Sequence, residues 1–139
     1  MASDEVFADA SFFFALAAKR DVAHSSAVSQ FGALLRKQRR IVTTDYVLDE
    51  ALTLTKARTN ASVAVALLDR IERSEAIDVE YVNAARFDLA KAFFRKHSDH
   101  GYSFTDCASF VVMRELEMTD ALTTDHHFMD AGFRPLLAK

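Results

Sequence analysis

The chain has 139 residues, half of them apolar, with a net charge of −3 and one cysteine, Cys107. That length suits a single domain with a real core, expected to span 1–139. One thiol excludes an internal disulfide framework and a thiolate zinc site, so a reducing cytoplasm is the expected home. No apolar run approaches the ~20 residues that cross a bilayer, and Met1–Val6 is acidic, without the basic-then-apolar order of a signal peptide. The charge argues against a generic nucleic-acid binder.

Val6-Phe7-Ala8 is a short apolar run that ends at Asp9. Ser11 is placed to cap a helix from Phe12 to Arg20. Ala23, Ala27, Phe31, Leu34 and Leu35 recur at helical spacing over about Val22 to Lys37. The basic run Arg36-Lys37-Gln38-Arg39-Arg40 follows, then strand-like Ile41-Val42-Thr43. Thr44 or Asp45 is a cap for a helix reaching about Arg58, with Val47, Leu48, Ala51, Leu52 and Leu54 as its apolar stripe.

Asn60 or Ser62 opens the next helix, through Val63, Ala66, Leu67 and Ile71. Ile77 to Val82 alternates like a strand with one wet face. A helix over Ala84–His97 is expected to turn Leu89, Ala90, Phe93 and Phe94 inward, and 98–102 reads as a loop. Ser103 begins a helix to about Glu117. Ala121-Leu122-Thr123 is a strand near Asp125, and Phe133-Arg134-Pro135-Leu136 suits only a sheet edge, because proline cannot donate to a central ladder. Strands alternating with helices imply an α/β fold around a parallel sheet.

Four carboxylates stand where such a fold would gather them: Asp9, Glu50, Asp106 and Asp125. Sites in open parallel sheets lie outside the carboxyl ends of the strands. Asp9 and Asp125 each follow a strand-like run. Asp106 would be the third helical residue after Ser103, and Glu50 flanks the apolar stripe of its helix, with Asp49 on the wetter side. Each acid alone has a structural reading as a cap or turn residue. Together they would repel one another unless a hard cation held them, and Mg²⁺ and Mn²⁺ prefer oxygen ligands.

Val6-Phe7-Ala8-Asp9-Ala10-Ser11, then Thr44 to Glu50, then Ser103-Phe104-Thr105-Asp106-Cys107-Ala108-Ser109, and finally Leu122 to Phe128 with Ala131-Gly132-Phe133 occur in that order. In these pieces the chain resembles the PIN domain, and within it the toxin nucleases of bacterial VapBC toxin–antitoxin pairs. The resemblance covers essentially the whole chain. It implies a three-layer α/β/α domain with a five-stranded parallel sheet in the order 3-2-1-4-5. It implies an endoribonuclease that cleaves single-stranded RNA with one or two Mg²⁺ or Mn²⁺ ions, an antitoxin peptide as partner, and a homodimer. Its catalytic and metal-binding acids map onto Asp9, Glu50, Asp106 and Asp125, and its small hydroxyl positions onto Ser11 and Thr105.

Such ions act as Lewis acid, water activator and template in phosphodiester hydrolysis. Asp9, Asp106 and Asp125 are the expected ligands, with Glu50 binding through water or orienting the attacking water. Ser11, Thr105, Arg36, Arg39 and Arg40 are the candidate substrate contacts, the arginines through phosphates; a solvated helix end is the competing account of the basic run. His126 and His127, beside Asp125, are candidates for supporting the acids or touching substrate, while His97 and His100, flanking the loop at 98–102, receive no role. The rival readings are a silent PIN-like module that binds RNA or protein, and a flavodoxin-like phosphoacceptor using Asp9.

Overall fold

The computed structural model describes residues 3–137, so the expected domain limits at 1 and 139 lie outside the described residues. Val6–Ala8 forms β1, wholly buried at the centre of a five-stranded sheet. The chain continues through α1 (Ala10–Ala17), α2 (His24–Arg36), β2 (Ile41–Thr44), α3 (Asp45–Arg58), α4 (Ala61–Arg73), β3 (Ile77–Glu80), α5 (Ala84–Lys96), α6 (Phe104–Glu115), β4 (Asp120–Leu122), α7 (His126–Asp130) and β5 (Arg134–Pro135). The sheet is parallel throughout, in the order β3-β2-β1-β4-β5, and helices flank it in a three-layer α/β/α arrangement. The strand order reverses between β1 and β4, which opens a crevice beyond their carboxyl ends.

Local chemistry explains where the helices begin. Asp9 caps α1, Thr44 α3, Asn60 α4, Asn83 α5 and Asp125 α7, each accepting a backbone N–H of the first turn. Ser103 and Asp106 cap α6 reciprocally, in a capping box. Asp9, rather than the expected Ser11, is the cap of α1, because its Oδ1 accepts from both Ser11 N and Phe12 N, at 3.0 and 3.3 Å.

Phe12 and Phe13 are fully buried, whereas Phe14 is half-buried under the Arg58 guanidinium. Phe110 is the aromatic hub beneath the crevice. Its ring meets Tyr102 edge-on at 5.1 Å and Phe128 at 5.0 Å, and stacks on Phe133 at 5.6 Å. These rings fix the underside of α6 and α7 against β1 through the Phe7–Phe128 contact.

Helix α5 departs from expectation. Ala90 is buried, but Leu89 is 55% and Phe94 44% exposed. It packs chiefly against α6 rather than against the sheet, so only the side turned to α6 is covered. Pro135 lies in the edge strand β5, as its missing amide requires. Cys107 is buried and free. Burial, with the nearby Asp106 charge adding to it, pushes its thiol up to about 11, the state of an inert core thiol. Among the described residues no helix is long and apolar enough to cross a membrane.

One buried polar atom in α3, Thr55 Oγ1, has no hydrogen-bond partner. Valine has the same shape and a similar helix preference. Thr55→Val is therefore expected to raise stability by about 1 kcal/mol, read as a higher midpoint of urea unfolding at unchanged slope.

Candidate active site

The register of β1 on β4 builds the site. Ala8 lies opposite Leu122, so the residues that follow, Asp9 and Thr123, face each other across the end of the sheet. Thr123 Oγ1 donates to Asp9 Oδ2 at 2.6 Å, and Ser11 Oγ donates to Asp9 Oδ1 at 2.6 Å. The two turns are laced further. Thr124 N donates to Ser11 Oγ at 3.0 Å, and Asp125 N donates to Thr123 Oγ1 at 2.9 Å. The Asp9 carboxylate thus accepts four hydrogen bonds from side chains and backbone, and none of its donors carries a formal charge.

Asp106 enters from the first turn of α6. Its Oδ2 accepts from Ser103 N at 3.1 Å and lies 3.1 Å from His127 Nδ1. Asp125 Oδ1 accepts from His127 N at 2.9 Å and stands 3.3 Å from the same Nδ1. Glu50 projects from α3 on the solvent side.

These four acids, from separate parts of the chain, act on one another. Burial pushes Asp9 up to about 7 against the pull of its hydrogen bonds from Ser11, Thr123 and Phe12, and the Asp125 charge adds to the rise. Burial also raises Glu50, followed by the charges of Asp106, Asp125 and Asp49. Asp106 is raised by burial and by Asp125, opposed by the Ser103 N–H and by His127. The pattern is that of anions crowded into a partly dry crevice.

A hard divalent cation fits this donor set. The groups facing one another are carboxylates, desolvated and mutually repelling, which is the condition a bound cation relieves. Asp125, His126 and His127 offer ligand atoms all within 4.8 Å of one another, and among the described residues no trio of the acids is gathered as tightly. The two histidines stand differently, however: His126 is exposed, while His127 is turned toward Asp106.

The other expected contacts divide. Ser11 belongs to the cradle of Asp9, and Thr105 precedes Asp106 in the opening turn of α6. Arg36, Arg39 and Arg40, by contrast, are not brought to the carboxylates. They precede β2 and so lie at the amino ends of the strands, the opposite edge of the sheet from the crevice. Arg39 bonds Asp4 O at 2.8 Å and Asp120 at 3.3 Å. Arg40 forks onto Asp78 at 2.7 and 2.6 Å. Arg36 ends α2, its guanidinium lying along Gly32. These arginines join the sheet's amino edge together, which a one-dimensional run of charge does not disclose. A cavity of about 740 Å³ is also elsewhere, between the ends of α1 and α3 and the start of α4, and none of the four acids lines it.

One residue of the site escaped the sequence reading, and the role of another was left open. Thr123 is fully buried, and a threonine ending an apolar strand gives no sign of a carboxylate opposite. His127 had the adjacent Asp125 as its only signal. An α/β domain with acids on the turns after β1 and β4 and on the flanking helices defines a class of endonuclease architecture. Within that class the chain belongs to the PIN domain family, whose model matches residues 6–134. It is 34% identical over 128 residues to the 23S rRNA-specific endonuclease VapC20 of Mycobacterium tuberculosis, in strains CDC 1551 and H37Rv alike, covering 92% of this chain and 95% of the relative. The crystal structure of M. tuberculosis VapC20, described as a sarcin–ricin loop cleaving toxin, superposes with a TM-score of 0.85 at 31% identity, covering 96% of this chain and all of that one.

The raised Asp9 also sets a pH dependence. Its carboxyl binds a proton more tightly folded than unfolded, so stability falls as pH rises from about 4, the ordinary value, to about 7. In metal-free protein the fall attributable to Asp9 is expected to be on the order of a few kcal/mol. Asp9→Asn should remove most of it and be the more stable protein at pH 8, with little difference at pH 4. Chemical denaturation in chelator across that range measures this.

Proposed function

We propose that this chain is a metal-dependent endoribonuclease and the toxin of a type II toxin–antitoxin pair, acting on a loop of 23S ribosomal RNA. The observation that carries the reading is the convergence of Asp9, Glu50, Asp106 and Asp125, each of the first three feeling the charge of Asp125. The substrate class rests on the likeness to VapC20 over nearly the whole of both chains.

Asp9, Asp106 and Asp125 would hold one or two Mg²⁺ or Mn²⁺ ions through oxygen. The ion, when bound, supplies charge neutralisation on the scissile phosphate and lowers the pKa of a bound water. The protein's part is to keep the ligands in place. Thr123 and Ser11 fix both oxygens of Asp9, and the capping box fixes Asp106. Glu50, at the solvent side and above the usual carboxylate range, accepts a hydrogen bond from the attacking water and aims it at phosphorus. An antitoxin peptide and a second copy of the chain, both implied by the family resemblance, and a cytoplasmic setting, expected from the single thiol, complete the reading.

Asp106→Asn tests this reading. Asparagine still accepts from Ser103 N, so α6 keeps its cap and the fold is expected to hold. Cleavage of an RNA carrying the 23S sarcin–ricin loop should require Mg²⁺ or Mn²⁺, stop with chelator and disappear in the variant. A folded Asp106→Asn protein cleaving at the wild-type rate would falsify the assignment, and wild-type RNA binding without cleavage would favour the silent module.

A further inference from the structure

His127 sits against two of the acids at once, whereas His126 stands 3.9 Å from Asp125 alone. Nδ1 lies 3.1 Å from Asp106 Oδ2 and 3.3 Å from Asp125 Oδ1. An ionised carboxylate can only accept, so Nδ1 carries the hydrogen. Nε2 faces the loop before α6, where a Cβ added to Gly101 would stand only 3.1 Å from it. The ring packs edge-on against Tyr102 at 5.5 Å, and Tyr102 rests in turn on Phe110. The His127 backbone N–H donates to Asp125 Oδ1 as well. Nδ1 is thus turned to both carboxylates, and the ring is held from behind by Tyr102.

We propose that His127 is a positioning residue that cross-braces Asp106 and Asp125, presenting their remaining oxygens to a divalent ion without ligating it. The proposal rests on the reading of these acids as metal ligands. Its physical basis is that two like charges on separate helices spread apart when nothing donates between them. One N–H shared by both oxygens keeps their spacing, and Tyr102 with Gly101 keeps the N–H in place. Outer-shell partners of ligating carboxylates set metal affinity in the same way.

The test is Mn²⁺ binding by the full chain, followed as loss of the free-ion electron paramagnetic resonance signal, with circular dichroism to establish folding. His127→Phe keeps the ring against Tyr102 and loses the donor. It is expected to weaken Mn²⁺ binding roughly 10- to 100-fold. His127→Asn places an amide N–H near the position of Nδ1 and should bind close to wild type. His127→Gln, whose amide reaches the Nε2 position instead, should resemble His127→Phe. If His127→Phe fails to fold, the Asn and Gln pair carries the comparison. Wild-type affinity in His127→Phe, or equal loss in the Asn and Gln variants, overturns the positioning role. Absence of Mn²⁺ binding by wild type overturns the metal reading itself and the positioning role with it.

Discussion

The pairing of β1 with β4 governs the rest of the molecule. Two short strands, each of three residues, set the crevice, because their register alone decides that Asp9 meets Thr123. A slip of one residue would turn every side chain on either strand to the other face. It would bury the carboxylate in the wrong layer. The register is held by total burial of Val6, Phe7, Ala8, Ala121 and Leu122, so the apolar core is what positions the charges.

The site is therefore assembled against its own electrostatics. Three of its acids begin helices, where the backbone N–H groups and the positive end of the dipole favour an anion. That local gain offsets part of the repulsion, and hydroxyls from Ser11 and Thr123 offset more. What remains is carried as raised proton affinity at Asp9, Glu50 and Asp106. The same crowding of like charge is what a bound cation would relieve.

Much of this was legible in the sequence, for a definite reason. Strand and helix periodicities survive in a chain so poor in glycine and proline, and a carboxylate directly after an apolar strand has few places to go in a parallel sheet. The sequence could not separate cap from functional acid at Asp9, Asp106 or Asp125, because in the fold each is both. It could not show which edge of the sheet Arg39 and Arg40 occupy, since that depends on strand direction rather than on charge. Leu89 and Phe94 looked inward because periodicity assumes a full surface to pack against, and α5 leans chiefly on α6 alone. The contact of His127 with Asp106 was hidden because the two lie 21 residues apart in the chain.

The two-residue strand β5 has an effect on what the protein can join. Arg134 N and Leu136 N both donate toward β4, to Thr119 O and Ala121 O. Alternate amides of a strand point to opposite sides, so the outward position between them belongs to residue 135. That residue is proline, and it has no hydrogen to offer. The sheet stops growing at this border, and a neighbouring polypeptide seeking to extend it by main-chain pairing finds no donor there.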